Sequence, residues 1–526
     1  MKSPDMNTSE NATGSARNVL FAIGIVILFI LYTYGLTHNP PGFYIDESAF
    51  AYNAYLISKT GASEFGVRWP LFFKNFTPPF TTYANPVCIY LLAAVNLVFP
   101  PSIWLSRFLS ATAEFGAAML LGLLAFRISR RRTIGIIVGF AALVTPWLFE
   151  VGRLYFDSSF YPLALALFLL ALYSASSKER WTWLDVVKIG ATLGLLTYTY
   201  TIGRLLAPLL ALGLIFLVVN RQRLFEVVKV WIVYGVTLIP LAVFNLRHPG
   251  LLTSRFALIS YIRKEPSLQD IVFRFIYRYF QDLSLIGLLT SGDVNARHHV
   301  PEANGSMLLA PLILSLLGIA IVVAYRRQDP FWRFIIFAAL AAVVPGALTV
   351  DAFHTGRMIA YQIFLIVLMV PGLEWLYENR KTENLDVTVE GADVKPVKGV
   401  AGLTSRQALL FGLLLATAMQ AAYFQVVFWR DGPKRAIALD AGYKTVYDVA
   451  TAMPSRPIYL ADGYYGPAYI HALWYATLEG RSTSEFVHLD KGELAPPGAL
   501  VISSENDCAN CEIIMRSQQY MLYREF

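Results

Sequence analysis

The feature that most limits what this chain can fold into is a series of long apolar runs with almost no charge inside them. Residues 19–36, 134–149, 163–173 and 334–350 are the clearest. A helix needs about 20 mostly apolar residues to cross a hydrocarbon core of about 30 Å. Backbone N–H and C=O groups in lipid must be paired within the segment, so such runs form helices and not open strands. Charged residues are 15% of the chain, against about 25% in soluble domains. One very large soluble core would not divide into so many separate spans. The sequence therefore reads as an all-α polytopic protein of the lipid bilayer.

Residues 19–36 alone resemble a secretory signal, but further spans follow and no small-residue cleavage site stands after them, so they are read as the first span. The net charge of +7 lies beside spans, where it orients the protein. Nucleic acid is not expected as a partner, because no soluble module carries a basic face. Of three cysteines, Cys88 lies in an apolar stretch, whereas Cys508 and Cys511 form a CxxC near the C-terminus. Two thiols cannot complete a tetrahedral zinc site. A local disulfide is the expectation if that tail lies outside the cytoplasm.

Short loops rich in Lys and Arg mark the cytoplasmic side. The markers are Arg127 with Arg130, Arg131 and Arg132; Lys178 and Arg180; Arg221 and Arg223; Arg326 and Arg327; Arg380 and Lys381. Placing all of them inside predicts eleven spans, near 19–36, 103–126, 134–150, 158–175, 184–201, 203–219, 226–245, 306–325, 331–350, 356–376 and 407–428. Residues 1–18 are then a cytoplasmic N-terminus and 19–430 the transmembrane domain. Outer loops cover 38–102 and 246–305, and 381–406 is an inner linker. Residues 85–99 are apolar but short for a crossing, and are read as an interfacial or re-entrant helix on the outer face. Residues 431–526, with strand-like runs at 456–461 and 498–503 around a helical 468–478, predict a small extracytoplasmic α/β domain. All seven histidines fall on the predicted outer side, as do Asp46, Glu47, Asp157, Asp293 and Asp351. This gathering points to chemistry at that face; equally, histidines avoid lipid and the long loops lie there.

The most informative stretch is residues 39–74, NPPGFYIDESAFAYNAYLISKTGASEFGVRWPLFFK. Pro40, Pro41 and Gly42 stop the first helix, and Asp46 and Glu47 follow at once. Ala51, Ala54, Tyr55 and Ile57 predict an amphipathic helix at the interface. Asp46 would stand near its start, where a carboxylate also serves as a cap. Asp157 has the same two readings, acid or cap, because Ser158 and Ser159 follow it.

This stretch resembles the first outer loop of membrane glycosyltransferases with the GT-C fold. Family 39 protein mannosyltransferases, bacterial aminoarabinose transferases and RgtA/B/C/D-like proteins are similar, with an acidic pair soon after the first span. The resemblance continues at residues 146–157 (PWLFEVGRLYFD), 198–208 (YTYTIGRLLAP), 292–305 (GDVNARHHVPEANG) and 345–357 (PGALTVDAFHTGR). Together these cover most of residues 19–430, and the tail resembles no family. The resemblance implies inverting transfer of a sugar from a polyprenyl-phosphate donor to an extracytoplasmic acceptor: protein, lipid or glycan. Asp46 is then the base, Glu47 its support and Asp157 a second acid. Asp46 and Asp157 would suit a shared divalent cation, magnesium or manganese, as hard oxygen ligands. Arg204 and Arg357 are the expected contacts of the donor phosphate, since guanidinium matches phosphate oxygens two at a time. Lys74, Arg153, Arg297 and His354 form a second rank. Snorkelling to the interface is the alternative for the arginines.

Two other classes remain on the sequence. A transporter or lipid flippase would place charges or broken helices near the midplane, often in repeated halves, whereas the charges here cluster at span ends on one face. A scaffold would act through its outer tail alone.

Overall fold

In the computed structural model, the structure describes residues 7–377 and 405–526, apart from Pro266, Glu302, Tyr465, Lys491, Asn506 and Ala509, with side chains from Asn18 onward. Most of the expected linker 381–406 lies outside the described residues.

α1 (Asn7–Tyr32) ends before a turn through the Pro40–Pro41–Gly42 segment, and α2 (Ile45–Thr60) follows. An antiparallel hairpin, β1 (Phe73–Asn75) with β2 (Thr82–Ala84), leads into α3 (Pro86–Asn96). Next come α4 (Ile103–Ser129), α5 (Arg132–Val144), α6 (Pro146–Gly152), α7 (Tyr161–Ser176), α8 (Trp183–Thr199), α9 (Gly203–Gly213) and α10 (Arg221–Arg247). The short α11 (Ser254–Ile259) and α12 (Leu268–Asp282) lie in the second long loop. The bundle closes with α13 (Leu309–Tyr325), α14 (Pro330–Ala341), α15 (Val344–Ala347), α16 (Ile359–Tyr377) and α17 (Ser405–Asp431).

Each span expected from the sequence falls on a helix. Six helical segments are long and apolar enough to cross a membrane: Ile103–Ser129, Asp157–Ser176, Arg221–Arg247, Pro330–Ala347, Ile359–Tyr377 and Ser405–Leu439. α5 and α6, bent by 60° at Pro146, make a seventh if they count as one span. α9 and α13 are shorter, so these lengths do not establish eleven crossings. α3, at 11 residues, extends about 16 Å and falls well short of the hydrocarbon core. α16 is buried along nearly its whole length and forms the centre of the bundle.

Small residues let the helices touch backbone to backbone, as lipid-embedded helices require. A Cβ on Gly122 of α4 would lie 2.8 Å from the Gly135 carbonyl oxygen of α5. On Gly318 of α13 it would lie 1.7 Å from the Leu368 carbonyl oxygen of α16.

The expected C-terminal α/β domain is present. α18 (Ala441–Ala452), β3 (Ile458–Ala461), α19 (Tyr469–Glu479), β4 (Phe486–His488), β5 (Leu500–Ser503), β6 (Cys511–Ser517) and β7 (Tyr520–Glu525) build a five-stranded sheet of order β4-β3-β5-β7-β6. β3 runs parallel to β4 and β5, and β7 antiparallel to β5 and β6. Cys508 and Cys511 are paired in a disulfide.

The expectation of α2 as an interfacial amphipathic helix is corrected by its surroundings. Ten of its residues are buried, from Ile45 to Ile57, because α3 covers one side and α19 another. Its apolar side chains belong to a core shared with the C-terminal domain, where Ala49, Phe50 and Ile57 join Tyr443, Trp474 and Tyr520.

Candidate active site

The first turn of α2 shows why Asp46 and Glu47 differ. Glu47 is fully buried and faces Arg107 of α4, itself fully buried. Arg107 Nε donates to Glu47 Oε1 at 2.9 Å and Nη2 to Oε2 at 2.8 Å. The same carboxylate accepts the N–H of Tyr155 at 2.8 Å and of Tyr44 at 2.9 Å. Arg107 also donates to the carbonyls of Leu36, Pro40 and Gly42. Glu47 is thus a structural anchor for the turn that precedes α2, which corrects its place among the catalytic acids. The neighbouring Asp46 is partly exposed, and its carboxylate has no hydrogen-bond or ion-pair partner among the described residues.

Asp157 opens the turn before α7. Its Oδ2 accepts from Asn85 Nδ2 at 2.8 Å, and Asn85 Nδ2 also reaches Thr201 Oγ1 at 3.0 Å. Arg204 Nη2 donates to Asn85 Oδ1 at 2.8 Å and Nη1 to the Leu252 carbonyl at 3.1 Å, with its guanidinium over the Phe72 ring. Asn85, at the start of α3, therefore joins Asp157 to Arg204. Arg204 is held by protein acceptors on two nitrogens, and its place here is beside the second acid.

Within electrostatic reach of both acids the structure brings a cation that sequence reasoning missed, Arg255 of α11. Its side chain is exposed to solvent. Desolvation pulls its pKa down, but Asp46, Tyr200, Asp157 and Tyr44 outweigh that and raise it. No sequence signal marks Arg255: it lies in a long loop with five other Arg or Lys residues among residues 246–280, outside every motif. Arg297 stands over the Tyr44 ring at 3.9 Å, its buried Nε without a partner. Tyr44 immediately precedes α2, so Arg297 is brought to the same side as Asp46.

Three more groups meet beside this cleft. Asp293, His298 and His354 place one ligand atom each within 4.8 Å of one another. His298 Nδ1 is 3.0 Å from Asp293 Oδ2, which also accepts the N–H and hydroxyl of Thr355. Burial raises the Asp293 pKa, but the His298 and His354 charges and its N–H donors reverse this and hold it below the usual carboxylate range. Burial, His298 and Arg357 together push His354 well below the usual histidine value. Two imidazoles and a carboxylate suit a transition metal better than the oxygen-seeking magnesium or manganese. Among the described residues this is the group of three or more ligands able to hold a metal ion.

Two other expected phosphate contacts, Arg153 and Lys74, are placed elsewhere. Arg153 is fully buried and donates to the carbonyls of Tyr32, Tyr34 and Asn39, where it closes the C-terminal end of α1. That position corrects its expected contact with a donor. Lys74 lies over the Phe65 ring at 4.3 Å, and its charge is felt by Glu64. Arg357 pairs with Asp351 at 2.7 Å and with Thr349 at 2.8 Å.

A buried pair, His299 with Glu150, is expected to make the fold sensitive to pH. His299 Nδ1 is 2.6 Å from Glu150 Oε2, and Val300 N–H donates to Glu150 Oε1 at 2.8 Å. Burial lowers the His299 pKa, but Glu150 outweighs it and the net shift is upward. A raised folded-state value stabilises the fold fully below the unfolded pKa of about 6.5 and stops doing so as pH climbs through the folded value. The melting temperature is expected to fall as pH rises above neutrality, and to fall less in His299→Gln. An equal slope in both proteins would remove this pair as the cause.

No family model and no curated protein matches the sequence. Solved structures do match it. ArnT from Cupriavidus metallidurans bound to undecaprenyl phosphate is 12% identical, with 97% of this chain and 98% of that chain covered and a TM-score of 0.58. The apo state of the same protein gives 13% identity, the same coverage and a TM-score of 0.57. The fold is that of the GT-C membrane glycosyltransferases. On this GT-C frame the first loop, the second loop and the C-terminal domain meet at one end of the bundle, around Asp46, Asp157, Arg255 and Arg297.

Proposed function

We propose that this chain is an inverting glycosyltransferase that moves a sugar from a polyprenyl-phosphate donor to a protein, lipid or glycan acceptor outside the cytoplasm. The observation that carries this reading is the pairing of an unpartnered carboxylate, Asp46, with two guanidinium groups, Arg255 and Arg297, that form no salt bridge of their own among the described residues. A base and a cradle for an anionic leaving group are what such a transfer needs. The GT-C fold and a neighbour solved with undecaprenyl phosphate support the donor class. The basic loops at Arg127–Arg132, Lys178–Arg180, Arg221–Arg223 and Arg326–Arg327 stand at the helix ends opposite Asp46 and Asp157, which supports an outer-face site in the plasma or inner membrane.

In the proposed step the acceptor's hydroxyl oxygen attacks the anomeric carbon from the face opposite the phosphate. The bond from that carbon to the phosphate oxygen breaks, and its electron pair leaves on the polyprenyl phosphate. The hydroxyl proton passes to Asp46. Asp157, held by Asn85 and backed by Arg204, orients the acceptor. Arg255 and Arg297 hold the departing phosphate, with Arg357 and His354 behind them. Asp293, His298 and His354 would hold a divalent metal where one binds, and its charge would add to that of the arginines.

The class is tested by offering membranes containing the protein a panel of radiolabelled polyprenyl-phosphate sugars. Transfer from at least one is expected, and transfer from none by intact protein would move the reading to a transporter. A hydrogen bond to a charged group contributes about 1.5–3 kcal/mol. Arg255→Gln is therefore expected to lower kcat/KM for the donor by roughly ten- to hundredfold. A change under twofold would exclude Arg255 from phosphate binding.

A further inference from the structure

The chain's last ninety residues reach back into the first turn of α2. Asp440, at the entrance to α18, occupies the left-handed region at φ 57°. Its Oδ2 accepts the Ile45 N–H at 3.0 Å, one of the donors that a helix start leaves without an intrahelical partner. Its Oδ1 accepts from the Tyr520 hydroxyl and the Gln519 amide, each at 2.8 Å, so it is fixed to β7 and the chain just before it. His471 of α19 places Nδ1 2.8 Å from Ser48 Oγ and Nε2 3.4 Å from Asp440 Oδ2. The two segments are in close contact. A Cβ on Gly42 would stand 2.2 Å from the Leu439 carbonyl oxygen, and the Phe43 ring stacks on Trp474 at 5.8 Å.

Serine, histidine and aspartate in line have the order of a hydrolytic triad. Ser48 and His471 are 0% exposed, so no substrate reaches the hydroxyl. What the group does is hold. Ile45 is held by Asp440, Glu47 by Arg107 and Ser48 by His471, which leaves Asp46 as the one side chain of the turn free to face the cleft.

We propose that Asp440 and His471 are positioning residues through which the C-terminal domain sets the direction of Asp46. The inference rests on the reading of Asp46 as the base. A displacement of about 1 Å at a reacting group costs about a hundredfold in rate, so a loosened turn lowers kcat, while Arg255 on α11 still holds the donor's phosphate. The domain is then part of the catalytic machine and not an appended binding module.

The test uses full-length protein in two arms. In the first, amide hydrogen exchange over residues 43–50 is compared in wild type, His471→Ala, Asp440→Ala and His471→Asn. The Asn amide reproduces the imidazole Nδ1 position and can keep the bond to Ser48. Exchange at least tenfold faster is expected in the two Ala variants, and near wild type in His471→Asn. In the second, transfer kinetics are normalised to folded protein. The Ala variants are expected to lose at least tenfold in kcat with donor KM within threefold, and His471→Asn to recover most of it. Unchanged exchange in both Ala variants overturns the inference, and so does faster exchange with wild-type kcat per folded molecule. If wild type transfers no sugar while Asp46→Asn is equally silent, the enzyme reading falls. The exchange arm then still decides whether the domain holds the turn.

Discussion

Asp46→Asn is expected to lower sugar transfer by about 10²- to 10⁴-fold, the range that a positioned general base contributes. Asparagine has nearly the same shape and cannot accept the acceptor's proton. The fold has little stake in this carboxylate, because it forms no hydrogen bond or ion pair among the described residues and is not in the buried core. Melting temperature and membrane insertion are therefore expected to match wild type, with donor KM changed little. Transfer within threefold of wild type would remove Asp46 as the base. Asp157→Asn would then be the next variant, since Asp157 shares the cleft and is held ready by Asn85 at 2.8 Å.

The second large effect is on stability and falls one residue further on. Glu47→Ala leaves the Arg107 guanidinium buried without its counter-charge, along with the unpaired N–H groups of Tyr44 and Tyr155. Breaking a fully buried ion pair from one side costs about 3–5 kcal/mol, against a total stability of about 5–15 kcal/mol for a folded domain. The variant is expected to accumulate poorly and to melt many degrees lower. Arg107→Ala is expected to do the same, because three carbonyls of the turn also lose their donor. The double variant should cost clearly less than the sum of the two, since neither charge is then left alone. A Glu47→Ala protein with wild-type melting and abolished transfer would return Glu47 to the catalytic acids. Adjacent residues of one acidic pair thus have opposite assignments, one chemical and one structural. The two measurements separate them without reference to any relative.

Sequence alone carried the architecture a long way. Hydrocarbon thickness and the need to pair every backbone group make an unbroken apolar run almost sufficient to define a helix, and every expected span lies on one. The strand runs at 456–461 and 498–503 and the helix at 468–478 were legible for the same local reason: period and turn residues act over a few positions. The stop at Pro40–Pro41–Gly42 likewise placed Asp46 and Glu47 at the mouth of the bundle.

Tertiary structure decided which polar groups meet, because that depends on contacts between residues far apart in the chain. Glu47 and Arg107 are 60 positions apart, Ser48 and His471 423, and Ile45 and Asp440 395. No local pattern distinguishes an arginine bound to helix-end carbonyls, as Arg153 is, from one facing a cleft, as Arg255 is. The same holds for Asp293, His298 and His354, whose grouping exists only because the second loop folds against the segment before α16. The sequence by itself determined that this chain would be a membrane bundle with acids gathered at one end, since solvent and covalent geometry enforce that locally. Which acid remains free to act was settled by the packing around α2. Burial there gave Ile45, Glu47 and Ser48 hydrogen-bond partners, and left the Asp46 carboxylate with no hydrogen bond or ion pair among the described residues.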